Sequence, residues 1–116
     1  MIVPTPDICR AAYDMIALSP PYNKWNLPDS EEIEFRVSKD RTCYGHYIHD
    51  NGRHIIMVSS ALCGLWPGII STIAHEMIHL HARVTCMETP NTIHNAAFRK
   101  MAARVAAIHG FDPKAF

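Results

Sequence analysis

The segment Pro67-Gly68-Ile69-Ile70-Ser71-Thr72-Ile73-Ala74-His75-Glu76-Met77-Ile78-His79 decides how this chain is read. Pro67 suits the first turn of a helix, where no amide donor is needed, and Ile69, Ile70, Ile73, Ala74, Met77 and Ile78 then form a broad apolar face. Residues four apart on an α-helix return to nearly the same side, so His75 and His79 project into one volume, one turn apart. Two imidazoles placed in that way can share a metal ion. Glu76 lies about 100° round the helix from His75. It is badly aimed for a third ligand but able to take a proton from a water beside the metal, the division of labour of His-Glu-x-x-His zinc peptidases.

A catalytic zinc ion has three protein ligands and one open position, so a further donor is required. His81, two residues beyond His79, points about 200° away on the same helix. His109 is at the far end of the last helix, roughly 22 Å along its axis from His94. His94 is the expected third ligand, because it opens that helix after a loop long enough to fold it over the motif. Glu88, in the connecting loop, is the fallback. The expected chemistry is peptide hydrolysis with zinc held by His75, His79 and His94 and with Glu76 as the catalytic base. Tyr44, Tyr47 and His46 are candidates for an additional donor to the oxyanion.

The remaining elements surround this helix. Ile8, Ala11, Ala12, Met15 and Ile16 recur at helical spacing after Pro6-Asp7 and stop at Ser19-Pro20-Pro21, which predicts a short first helix. From Glu32 to Ser38 the period is two, with Ile33, Phe35 and Val37 on one face of a strand. A second strand is expected over Cys43 to His49 and a third over His54 to Ser59. Asp50-Asn51-Gly52 joins them, since Asn-Gly accepts the positive φ angles of a tight hairpin turn. The three strands are expected to form a mostly antiparallel sheet, with the third as an edge able to hold an extended substrate. The motif helix should fade near Arg83 to Cys86 and lead to a loop over 87–92. A last helix from Ile93 to His109 follows, with Phe98, Met101, Ala102, Val105 and Ile108 inward and Gly110 as its stop. The fold class is thus α+β, and one domain is expected over residues 1–116.

Composition narrows the function further. Eleven Lys plus Arg balance eleven Asp plus Glu, so no net field holds the protein on a polyanion. Cys9, Cys43, Cys63 and Cys86 contain no Cys-x-x-Cys pair and are expected to be buried thiols. His46, His49, His54 and His109 are expected at the surface. The N-terminal residues lack a basic region followed by an apolar one, and the uncharged stretch from Ser59 to Ala74 is too short and too interrupted to cross a membrane. A soluble, cytoplasmic monomer without membrane contact is the expectation.

Thr72-Ile73-Ala74-His75-Glu76-Met77-Ile78-His79, followed by His94-Asn95-Ala96-Ala97-Phe98 at the head of a helix, resembles the SprT-like (Spartan-type) metallopeptidase family. Gly45-His46-Tyr47, the hairpin and Ile55-Ile56-Met57-Val58 resemble the sheet that precedes that family's motif helix. The likeness spans Arg41 to Phe111. It implies a small zincin-like fold in which the motif helix supplies two zinc ligands and the catalytic Glu, and a His-Gly-x-x-aromatic segment supplies the third ligand. Asn95 stands where that segment has glycine, which a helical backbone or Asn in the same angles would accommodate. The resemblance also implies protein substrates bound or crosslinked to DNA. Arg99, Lys100 and Arg104, on the outward side of the last helix, form a candidate for weak DNA binding, although no zinc ribbon or nucleic-acid-binding tail accompanies them. Two other readings stay open: an intracellular zincin that cuts a regulatory protein, using Glu88 as an acidic ligand, and a peptide-binding module with a structural zinc.

Overall fold

Thr5 starts the first helix. Its hydroxyl accepts a hydrogen bond from the Ile8 amide at 3.2 Å, and Pro6 sits in the first turn, so α1 spans Pro6–Ala17. The computed structural model describes residues 3–88, 94–114 and 116. The inward stripe of α1 is Cys9, Ala12, Tyr13 and Ile16, a spacing of three and four that keeps one face down. Met15, expected on that face, is 53% exposed, because the larger Tyr13 takes the inward direction and donates its hydroxyl to the Pro28 carbonyl at 2.6 Å.

The strands are β1 (Ile33–Ser38), β2 (Gly45–Asp50) and β3 (Arg53–Ser59). Asn51 and Gly52 adopt φ of 50° and 76° and close the expected hairpin between β2 and β3. The sheet order is β1-β3-β2, with β1 parallel to β3 and β2 antiparallel to it. One of the two ladders is therefore parallel. The third strand of the sequence is also the central one, which corrects its assignment as a substrate-holding edge: both of its edges are occupied. Four of its residues, Ile55, Ile56, Val58 and Ser59, are buried, as a strand with neighbours on both sides should be.

The cross-strand rows Phe35, Ile56, Tyr47 and Val37, Val58, Gly45 face the helices. Phe35 meets the Tyr13 ring edge-on at 5.7 Å. The motif helix α2 (Trp66–Val84) lies beside α1 and packs on β2 and β3, with Pro67 in its first turn. Ile69, Ile73, Met77, Ile78 and Leu80 are fully buried. Burying each such side chain contributes about 1.5–3 kcal/mol, so this helix is the central element of the core. Asn95 caps α3 (Ala96–His109), and Gly110 in the left-handed conformation ends it. Ile93, expected as the first residue of this helix, and the loop positions 89–92 lie outside the described residues. Phe98 and Val105 are buried as expected and Met101 and Ala102 partly so, but Ile108 is 45% exposed and Ala106 is buried in its place.

Among the described residues, no helix is long and apolar enough to cross a membrane. The four cysteines are free thiols. Cys9 and Cys63 are buried as expected, whereas Cys86 is exposed and Cys43 half-buried. Cys86 lies in the left-handed turn that ends α2, with φ of 59°, and Cys43 sits in the loop entering β2. His46 and His49 are exposed as expected. His54 is half-buried beside the Tyr47 hydroxyl, 2.7 Å from its Nδ1, and His109 is half-buried with Nε2 2.7 Å from the Pro20 carbonyl.

Candidate metal centre

His75 and His79 emerge from consecutive turns of α2, and His94 approaches from the residue before the α3 cap. Their Nε2 atoms converge: His94 lies 3.3 Å from His75 and 3.1 Å from His79. One donor nitrogen from each ring lies within 4.8 Å of the other two. Ligands about 2.0–2.1 Å from a tetrahedral zinc ion are separated by about 3.3 Å, and the two edges that meet at His94, 3.3 and 3.1 Å, suit such an ion.

Each histidine has a separate support. His75 Nδ1 stands 2.9 Å from the Phe116 main-chain oxygen, a bond that requires the proton on Nδ1 and leaves the Nε2 lone pair for the centre. His79 stacks on Phe98 at 4.3 Å between ring centroids. His94 is anchored through its backbone, where Arg99 Nη1 donates to its carbonyl at 2.9 Å. Asn95 is neither helical nor left-handed: its φ of −74° and ψ of −177° are those of an extended cap residue, and its side chain accepts from the Phe98 amide at 2.9 Å. Its amide also donates to the Met87 carbonyl at 3.0 Å. The position therefore uses asparagine's capping chemistry and has no need of glycine.

Glu76 is buried at 5% exposure. Burial pushes its carboxyl up to about 8, since the ionised form loses hydration without a facing cation. Burial also holds the His79 ring down to about 3, with His75 and His94 adding to the effect, and lowers His75. Neutral imidazoles around an acid that ionises only reluctantly are the electrostatics of a site arranged for a cation.

A cleft of about 640 Å³ opens on this centre, with Tyr44, Gly45, Thr72, His75, Glu76, His94 and Phe116 in its walls. Gly45 is what lets β2 approach α2. A Cβ there would stand 2.6 Å from Thr72 Cγ2 and 2.7 Å from the Met57 carbonyl, so only hydrogen fits. A lone glycine within an alternating strand is a signal of such close approach, but it does not say to what.

The other sequence candidates sort clearly. His81 stacks flat on Trp25 at 4.1 Å, away from the three converging rings. Glu88 pairs with Arg83 at 3.5 Å and is not in the cluster. Of the oxyanion candidates, Tyr44 lines the cleft, while Tyr47 bonds His54 and His46 turns to Cys43. Two contributors carried no advance signal: the Phe116 oxygen on His75, and Tyr22, whose hydroxyl donates to the Ala74 carbonyl at 2.6 Å and fixes the motif helix one residue before His75.

His75, Glu76 and His79 share α2, His94 joins them from the residue before the α3 cap, and the surrounding fold is a small α+β domain. The SprT-like family model matches residues 14–115, and the chain belongs to the SprT-like family. No curated protein matches it.

Proposed function

We propose that this protein is a zinc-dependent metalloendopeptidase, with His75, His79 and His94 as metal ligands and Glu76 as the catalytic base. The observation that carries the reading is the convergence of three imidazole nitrogens beside a buried carboxylate at the floor of an open cleft. When bound, zinc supplies Lewis acidity that brings water ionisation close to neutral pH and polarises a carbonyl. The chain's residues do the rest. Glu76 accepts a proton from the attacking water and delivers it to the leaving amine as the peptide carbon–nitrogen bond breaks. The Tyr44 hydroxyl, at the cleft wall, is the donor assigned to the developing oxyanion.

An extended substrate adds along the outer edge of β2. That edge has no strand partner among the described residues, and Gly45 and the preceding Tyr44 line the cleft, so main-chain hydrogen bonding can present a peptide bond to the centre. For substrates associated with DNA, support comes from Lys100 and Arg104, which are exposed on α3 and have no carboxylate partner among the described residues.

Glu76→Gln tests the mechanism. The variant should bind zinc as the parent does and lose cleavage by about 10²-fold or more; parental activity in that variant overturns the assignment.

A further inference from the structure

A second cluster of side chains with metal-ligand chemistry lies outside the three-histidine centre, and one of them, Cys43, lines the same cleft. Cys43 Sγ is 3.2 Å from Asp40 Oδ2 and 3.0 Å from His46 Nε2, and Asp40 Oδ2 is 3.8 Å from His46 Nε2. We infer that Asp40, Cys43 and His46 form an auxiliary site for a thiophilic divalent cation of the zinc type, separate from the ion held by His75, His79 and His94.

Three observations carry this. The first is the donor set: thiolate, imidazole and carboxylate are all zinc ligands, and the three atoms lie within 4.8 Å of one another. The second is the size of the triangle. Tetrahedral zinc with sulfur at about 2.3 Å and nitrogen and oxygen near 2.0 Å has edges of about 3.5 Å from sulfur and 3.3 Å between the others, and the observed edges depart from these by about half an ångström or less.

The third is orientation. The other Asp40 oxygen, Oδ1, accepts from the Thr42 amide at 2.7 Å and the Thr42 hydroxyl at 2.6 Å, which directs Oδ2 at Cys43 and His46. The Asp40 backbone carbonyl accepts from the Ser59 hydroxyl, tying the loop to the central strand. Outer contacts that aim a ligand in this way are a feature of metal sites. His46 is exposed and Asp40 partly so, which leaves an entry path from solvent.

Binding deprotonates Cys43, and the proton leaves to solvent. Because Cys43 also lines the cleft, an ion there pins the cleft wall formed by the loop before β2.

Cobalt substitution separates the two sites, since a three-histidine centre has no thiolate. The full chain, kept reduced, is titrated with Co²⁺. About two equivalents should bind, with a near-ultraviolet sulfur-to-cobalt charge-transfer band assigned to Cys43. Cys43→Ser and, independently, His46→Ala should reduce the stoichiometry to about one and abolish that band, leaving the visible ligand-field bands of the histidine centre. His75→Ala/His79→Ala should do the converse. The exposed thiol is controlled by Cys86→Ser, which should change nothing. Absence of the thiolate band from the parent, or its survival in Cys43→Ser and His46→Ala, overturns the proposal. Loss of peptidase activity alone bears only on the histidine centre.

Discussion

His79 Nε2 and His94 Nε2 stand 3.1 Å apart across fifteen residues of sequence. Both rings turn a nitrogen to the same point, and His75 adds a third from 3.3 Å away. Burial and mutual repulsion oppose protonation of His79, so a metal cation would satisfy all three.

Removal of the third donor should therefore be costly. His94→Ala is expected to weaken zinc binding by more than about a hundredfold, exceeding the effect usual for an outer-shell contact, whereas Glu88→Ala should leave it unchanged. Competition with a chromogenic chelator reads both. Equal affinities for the parent and His94→Ala would assign the third ligand elsewhere.

The bond from His75 to the Phe116 main-chain oxygen predicts a quieter defect. Deleting residues 112–116 leaves the three ligands in place but frees the His75 ring, and zinc affinity should fall by about 10–100-fold. The same chelator competition measures it, with circular dichroism to show that the fold persists. Undiminished affinity would make the contact incidental.

Gly45→Ala places a methyl group against Thr72 and the Met57 carbonyl. Forcing that contact should destabilise the protein by about 1–3 kcal/mol, read from urea unfolding. Cleavage should fall further than metal binding, because β2 moves away from α2 while the histidines stay on their helices. A stable, fully active variant would show that β2 does not need this approach.

Metal-free protein should have a bounded pH window. Glu76 is raised from 4.5 to about 8, so folding takes up a proton between those values and stability falls as pH rises through them. His79 is lowered from 6.5 to about 3, so stability is lost as pH falls through that range. The two slopes oppose each other between 4.5 and 6.5, where the urea midpoint should be highest. Zinc keeps Glu76 ionised and should remove the alkaline decline. A metal-free midpoint that climbs from pH 6.5 to 8 would contradict this.

Much of the molecule was legible without coordinates where local spacing is sufficient. A period of two marked β1, Asn51-Gly52 marked the hairpin, and four-residue spacing put His75 and His79 side by side and turned His81 away. Sheet order was not legible. Nothing in the sequence of β3 distinguishes a central strand from an edge until its second partner, β1, is known, and that pairing joins residues about twenty positions apart. The outward turn of Met15 and Ile108 was hidden for a related reason, since each helix has more apolar residues than its neighbours can cover.

The sequence by itself determined the chemistry: two imidazoles on one face of a helix, with a carboxylate about 100° round from the first, follow from helical geometry, because their relative positions depend on backbone bonds alone. Tertiary structure decided how that chemistry is completed. His94, the Phe116 oxygen and Gly45 reach the centre from three separate segments. Only packing of α3 on α2 and of β2 on the motif helix brings them together, through contacts between surfaces that no local pattern encodes.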